Sequence, residues 1–155
     1  MVSSSRHVAD LEAALNSIQL RYRRESNSFI FRVDGQRHVV SCTDDGVQIL
    51  VSSGKKVSTK QLPSVLEFAC LVNEKLDSGC ILVDTETMEI RWRSNITLIP
   101  GADLRLMFVD RFVEVMQIFP IVAQAATNVL GGLPAREAME RLPDSRLNDS
   151  GSIRA

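Results

Sequence analysis

The sequence predicts an α+β fold in which helices cover one antiparallel sheet, with elements in the order α-β-β-β-α-β-β-α. Apolar residues recur at steps of three and four in three segments, which indicates helices, and at steps of two in five shorter runs, which indicates strands. Short turns such as Asp34-Gly35 separate the runs, so neighbouring strands are expected to be antiparallel. Runs of strands interrupted by single helices are typical of layered α+β domains.

The first half of the chain predicts one helix followed by a three-stranded meander. A helix is expected over residues 8–23, where the basic residues 21–24 would oppose the helix dipole. The three strands are expected at Ser28–Val33, Gln36–Cys42 and residues 46–53. Asp34-Gly35 supplies the first turn, because glycine tolerates positive φ.

The second half predicts a helix, a hairpin and the longest helix. Ser58 is placed to cap a helix from which Gln61 reaches back, and Pro63 is tolerated in the first turn. That helix is expected to stop near Ser78 and Gly79. The remaining elements are expected to be strands at residues 80–85 and 89–98, a long helix from Asp103 and a short helix at residues 135–141.

The composition is that of one globular domain without a strong net charge. The chain has 155 residues, of which 45% are hydrophobic and 24% are charged, and its formal net charge is -1. This length buries a core without disulfides or metals, and the charge gives no general attraction to nucleic acid or to an anionic membrane. We expect residues 1–142 to form a single α+β domain and residues 143–155 to form a disordered tail.

The first residues and the cysteines predict a cytoplasmic protein. Asp10 and Glu12 lie where a secretory signal peptide would have its apolar run. Cys42, Cys70 and Cys80 are widely spaced among apolar neighbours, which favours reduced, buried thiols over a disulfide framework.

One part of the chain resembles a known family. Within the stretch LPSVLEFACLVNEKLDSGCILVDTETMEIRWR, the order and spacing of seven residues are similar to those of the YbjN-type family of bacterial sensory transduction regulators: Pro63, Leu66, Asn73, Leu76, Gly79, Ile81 and Asp84. The segment GGLPAREAM resembles the Gly-Pro turn and short helix that end that domain. The similarity covers residues 29–139 and includes no catalytic motif.

This resemblance implies a fold and a type of activity. Members of the family are grouped with the type III secretion chaperone-like fold, whose element order is similar to the one predicted above. The resemblance therefore implies a small cytoplasmic protein that dimerises or binds a partner, and it names no ligand.

Residues suited to catalysis or metal binding are few. His38 and Cys42 lie four apart on a predicted strand and face the same side, but no third or fourth metal ligand is near them in sequence. A Cys–His nucleophile would need the same pair or His7. Gly131 and Gly132 end a helix, whereas a phosphate loop opens one. We therefore predict no metal, no cofactor and no enzymatic activity.

The last predicted strand carries a basic side. Arg91 and Arg93 alternate with apolar residues and share one face of the sheet, and Arg32 joins them if the register permits. Such a face suits an acidic peptide, a small anionic ligand or a nucleic acid strand, but an ordinary solvated surface is the favoured interpretation of these residues. An aromatic content of 5% argues against single-stranded nucleic acid. The candidate ligand residues are Arg32, Arg91, Trp92 and Arg93.

The last long helix contains an uncharged stretch at residues 115–135. A polar row along the same helix argues against a membrane span: Asp110, Glu114, Gln117, Gln124 and Asn128. Pro120 lies in mid-helix and lacks an amide hydrogen, so we expect either a kink or a split into two helices there.

Apolar positions form two rows on this helix, about 100° apart. The first row is expected to cover the sheet: Leu104, Phe108, Val115, Phe119, Val122, Ala126 and Val129. The second needs another helix or a partner to cover it: Leu106, Val109, Val113, Met116, Ala123 and Leu130. We expect a homodimer, with the candidate contact residues Val109, Val113, Met116, Phe119, Ala123 and Leu130.

The functional expectation from the sequence is a non-enzymatic, protein-binding or chaperone-like regulatory module that acts as a homodimer. A protein segment or peptide is its expected partner, bound through the sheet face or through a groove beside the long helix. The alternative is a regulator that binds nucleic acid or a small anionic ligand through the basic sheet face.

Overall fold

A computed structural model describes residues 3–143 of the chain. Apart from Pro143, the predicted tail at residues 143–155 lies outside this range. The helices are α1 (Ser3–Ser17), α2 (Leu62–Asn73), α3 (Leu104–Leu130) and α4 (Ala135–Glu140). The strands are β1 (Arg23–Glu25), β2 (Ser28–Val33), β3 (Gln36–Cys42), β4 (Gly46–Lys56), β5 (Cys80–Asp84) and β6 (Glu89–Thr97).

The strands form one antiparallel sheet in the order β1-β2-β3-β4-β6-β5. The helices pack on one side of it, where α3 crosses β4 and β6, α1 lies beside α3, and α2 contacts α3, α4 and β5. The predicted α+β class is therefore confirmed. Because side chains alternate along a strand, each strand has one row in the core and one row on the opposite side. That opposite side is called the open face below.

Aromatic rings hold α3 against the sheet at two places. Trp92 on β6 is buried and packs edge-on against Phe119, with 6.2 Å between the ring centroids. His38 on β3 stacks on Phe31 at 5.2 Å and meets the edge of Phe112 at 5.8 Å. Burial of each large apolar ring contributes about 1.5–3 kcal/mol. These contacts tie both halves of α3 to the sheet.

Two helix starts follow their sequence signals. The Ser58 amide donates to Oε1 of Gln61 at 3.0 Å, and the Gln61 amide donates to Oγ of Ser58 at 3.3 Å. This reciprocal contact is the one predicted, although the regular helix begins only at Leu62. Asp103 caps α3 as predicted, since its carboxylate accepts a hydrogen bond from the Arg105 amide at 2.9 Å.

The long helix α3 runs without interruption from Leu104 to Leu130. Pro120 is exposed and does not split the helix, while the kink stays a prediction. The first predicted apolar row is buried in full: Leu104, Phe108, Val115, Phe119, Val122, Ala126 and Val129. Over residues 3–143, no helix combines the length and the apolarity that crossing a membrane requires.

The first helix ends earlier than predicted. α1 stops at Ser17, and Gln19 then takes a left-handed conformation with φ of 57°. The prediction that residues 21–24 form a basic helix end is therefore wrong. Tyr22, expected on the helix, instead lies beyond it and packs edge-on against Phe29 at 5.2 Å.

Two strands also differ from their predictions. The edge strand β1 was not expected, and a tight turn at Ser26, with φ of 54°, joins it to β2. β4 continues three residues beyond the predicted end, through an irregularity between Ser52 and Lys56 that includes Gly54. The first difference adds a strand at the edge of the sheet, and the second lengthens β4.

Gly79 lies directly against the indole of Trp92. Its φ is +72°, and a Cβ atom at this position would come within 2.7–2.9 Å of three Trp92 ring atoms. Glycine is therefore needed both for the backbone conformation and for the space. Gly54 has a φ of +71° but no atom within 4 Å of such a Cβ, so it needs glycine for the backbone alone.

We expect Gly79→Ala to destabilise the protein more than the matched control Gly54→Ala. Both changes carry the left-handed backbone cost of about 1–2 kcal/mol, and Gly79→Ala adds about 1–3 kcal/mol for the clash with Trp92. Denaturant unfolding monitored by the fluorescence of Trp92, the only tryptophan in the chain, measures both losses. Equal losses would contradict this account of Gly79.

Candidate functional site

The centre of the open face is an apolar row that crosses three strands. Ile30, Val39 and Leu50 are direct cross-strand neighbours on β2, β3 and β4, and each is half-buried. Arg93 continues the row on β6 beside Leu50, and Arg23 continues it on β1 beside Ile30. The apolar row therefore has an arginine at each end.

A second row of the open face is largely basic. The register places Arg91, Ser52, Arg37 and Arg32 next to one another on β6, β4, β3 and β2. The sheet thus brings Arg32, Arg91 and Arg93 to one face. Sequence reasoning missed Arg37, although it alternates with buried residues of β3 in the same way.

Arg91 is already paired with other side chains of the sheet. Its guanidinium pairs with Asp84 at 2.6 Å and with Glu89 at 3.6 Å, and it donates to the Thr87 hydroxyl at 3.2 Å. A hydrogen bond from the Thr87 amide, reinforced by Arg91, holds the pKa of the Asp84 carboxyl below its ordinary value. This cluster closes the β5–β6 hairpin, so Arg91 contributes little free charge.

The remaining arginines of the open face differ in their contacts. Arg23 pairs with Glu25 at 2.6 Å, and Arg32 donates to a carbonyl of its own hairpin turn at 3.0 Å. Arg37 and Arg93 are exposed, and neither makes an ion pair or a side-chain hydrogen bond within residues 3–143. These two guanidinium groups are available to a partner.

Trp92 does not belong to the open face, so its prediction as a ligand residue is wrong. Strand alternation turns it to the side opposite its neighbours Arg91 and Arg93, where it is 1% exposed. The six phenylalanines of the chain are buried as well: Phe29, Phe31, Phe68, Phe108, Phe112 and Phe119. The open face therefore offers no large aromatic ring for base stacking.

The free edge of β5 is partly closed by a side chain. Nδ2 of Asn73 donates to the Ile81 carbonyl at 2.9 Å, and the Ile81 amide donates to Oδ1 of Asn73 at 2.8 Å. The amide group thus takes the place of a neighbouring strand, as exposed edges require if they are not to pair with another chain. This contact disfavours strand addition at β5.

The predicted dimer contact on α3 lies only partly at the surface. Val113 is 48% exposed, and Leu106 of the same apolar row is 64% exposed. The half-buried members of the predicted contact are Val109, Met116 and Leu130. Phe119 and Ala123 are buried inside the chain, Phe119 by Trp92, so their prediction as contact residues is wrong for the folded monomer.

A groove of about 420 Å³ lies between α3 and α4. Pro120, Ala125, Ala138 and Leu142 supply apolar parts of its lining. Arg141 stands at its rim, and its guanidinium is paired with a carboxylate of α4. Its one charged lining residue is therefore already paired, and the groove offers no free charge to orient a ligand.

His38 is a neutral core residue. It is fully buried, and neither ring nitrogen has a hydrogen-bond partner among the described residues. Burial lowers the pKa of His38 to about 4, and the nearby charge of Asp34 opposes this shift. At neutral pH the imidazole therefore serves as a packed ring between Phe31 and Phe112.

The cysteines take three different positions. Cys42 is buried, and burial raises the pKa of its thiol to about 11, against a small opposing effect of Arg24. Cys80 is half-buried on β5, whereas Cys70 is exposed on α2, so the prediction of a buried thiol is wrong at Cys70. No three potential metal ligands lie together anywhere in residues 3–143.

These features define a small α+β module that has an open, mixed apolar and basic sheet face. No family model and no curated protein sequence matches the chain. Its fold is similar to that of a crystal structure described as YbjN, a putative transcription regulator from E. coli, with a TM-score of 0.65 and 11% sequence identity. The match covers 78% of this chain and 91% of that one. The chain therefore has a YbjN-like fold, as the sequence resemblance implied.

We expect the protein to lose stability as the pH falls from 6.5 towards 4. The pKa of His38 is about 4 in the folded state and 6.5 when exposed, so the unfolded chain binds the proton first in this range. Once both states bind the proton, the free energy of unfolding is lower by about 3 kcal/mol. Chemical unfolding at several pH values measures it, and His38→Phe should remove this part of the slope.

His7→Gln is the control, because it removes the other histidine of the chain and keeps His38. If the free energy of unfolding of His38→Phe depends on pH as strongly as that of the wild type, His38 is not the cause of the loss of stability.

Proposed function

We propose that this protein is a non-enzymatic binding module that acts as a homodimer and takes a segment of another protein on its open face. The observation that carries the proposal is the apolar row Ile30, Val39 and Leu50, which lies between arginines on the side of the sheet that no described helix covers. Apolar centres with arginine are typical of protein interfaces.

The state of the titratable groups supports a binding role over catalysis. His38 is neutral and enclosed by aromatic rings, and the Cys42 thiol is protonated at neutral pH. The carboxylates Asp84 and Glu89 are engaged with Arg91. The shifted pKa values of His38 and Cys42 belong to buried side chains, whereas a general acid, base or nucleophile must reach its substrate.

The outer side of α3 supports the homodimer. Leu106 and Val113 are the exposed large apolar residues of this helix, and Val109 and Met116 flank them with part of their surfaces open. They lie on the layer opposite the open face, so two chains can pair through α3 and leave both open faces accessible. Burying such a strip excludes apolar surface from water.

Nucleic acid binding is the second candidate, favoured by the basic row that includes Arg32 and Arg37. The similar E. coli structure is described as a putative transcription regulator, and regulators of transcription bind nucleic acid, proteins or both. The protein partner is preferred because the centre of the open face is apolar and has no aromatic ring, whereas sequence-tolerant strand binding depends on stacking.

Selection of binders from a phage-displayed random peptide library tests the binding role. Peptides selected on the wild type should bind the double variant Val39→Thr, Leu50→Thr about ten-fold more weakly, since two contacts lose about 1–2 kcal/mol of apolar burial. Threonine keeps the strand preference of both positions. Leu66→Gln, on the helical side and 44% exposed, is the matched control and should bind normally. Failure to select any peptide, or selected peptides that ignore the double variant, would refute the role.

Sedimentation velocity tests the homodimer. The wild type should sediment with twice the 17.2 kDa mass of one chain, and Val113→Glu should shift it to the monomer because the contact would bury an unpaired carboxylate. Leu66→Glu introduces the same charge on α2 and should remain dimeric. A wild type that sediments as one 17.2 kDa species at micromolar concentration would exclude the homodimer.

A further inference from the structure

We infer that the partner segment is acidic, with two carboxylates that pair with Arg37 and Arg93 and an apolar side chain between them that packs beside Leu50. The inference rests on the proposed function and adds the chemistry of the partner. It starts from the charges of the open face that remain unpaired.

Charge on the open face is positive once its internal pairs are set aside. Asp84 and Glu89 are both held by Arg91, and Glu25 is held by Arg23. No carboxylate of the described chain is paired with the exposed groups of Arg37 and Arg93. An acidic partner supplies the missing charges, whereas a basic one would meet repulsion.

The positions of Arg37 and Arg93 set the spacing of those carboxylates. Arg93 neighbours Leu50 and Arg37 neighbours Ser52, so the two arginines lie two strands and two residues apart. Strand spacing and rise place their Cα atoms about 12 Å from each other. Residues four apart on an extended chain are separated by about 13 Å, and their side chains point to the same side. The residue midway between them also faces the sheet.

The surface between the two arginines fits an apolar side chain at this middle position. It lies over β4, between Leu50 and Ser52, with Val39 on the adjacent strand. A segment of the form acidic, any, apolar, any, acidic therefore satisfies both guanidinium groups and covers the centre of the apolar row. Arginine suits this pairing because its planar fork binds a carboxylate through two parallel hydrogen bonds.

A synthetic peptide with the central sequence Glu-Thr-Leu-Thr-Glu, labelled for fluorescence anisotropy, tests the inference. Arg37→Gln and Arg93→Gln should each weaken its binding about three- to five-fold, and the double variant about ten-fold or more. Both residues are exposed and unpaired, so the variants should fold, and circular dichroism checks this. Arg136→Gln on α4, where the side chain is 80% exposed, is the matched control and should leave affinity unchanged.

Two further peptides separate charge from apolar contact. Gln-Thr-Leu-Thr-Gln should bind as weakly to the wild type as the acidic peptide binds to the double variant. Glu-Thr-Ser-Thr-Glu should also bind weakly, because it lacks the side chain over Leu50. Equal binding of the glutamate and glutamine peptides, or no effect of the two arginine variants, would overturn the inference.

The other outcomes separate this inference from the proposed function. Library peptides that are neutral or basic, and that lose affinity on the Val39→Thr, Leu50→Thr variant, would overturn the acidic partner and keep the protein-binding role. A single-stranded oligonucleotide that displaces the acidic peptide, binds more tightly and weakens steeply with salt would overturn both in favour of nucleic acid. Absence of any peptide binder would overturn the proposed function itself.

Discussion

Packing of α3 across the sheet determines which side of every strand is buried. Trp92 packs against Phe119, and Gly79 lies against the same indole. Because side chains alternate along β6, Arg91 and Arg93 then point to the opposite side of the sheet. The open face is therefore a direct consequence of core packing. A shift of one residue in the β6 register would bury the arginines and expose the indole.

Several turns and helix starts were predictable because they use glycine or a side-chain cap. Asp34 and Gly35 both take positive φ, as expected of their hairpin, and Asp103 caps α3. Two of the errors lie where residues other than glycine take the left-handed conformation, whereas β4 passes its predicted end at Gly54. Gln19 ends α1 and Ser26 turns β1 into β2, and neither residue type signals such a turn from sequence.

The candidate site was predictable only in part, because it depends on contacts between distant strands. The alternation of side chains along β6 predicts that Arg91 and Arg93 share a face. The strand register adds Arg37 to that face, and the ion pair between Arg91 and Asp84 is visible only in the folded chain. Phe119 was assigned both to the core and to the dimer contact, and its burial leaves only the first role within the folded chain. The periodicity of a helix gives its apolar positions, but it does not identify the element that covers them.

We propose that the open face, and not the helical layer, receives the partner. Methyl NMR spectra recorded during a titration with the acidic Glu-Thr-Leu-Thr-Glu peptide test this claim most directly. We expect the chemical-shift changes to concentrate on the methyl groups of Ile30, Val39 and Leu50. Changes concentrated on Leu106 and Val113, with the sheet methyl groups unaffected, would contradict it.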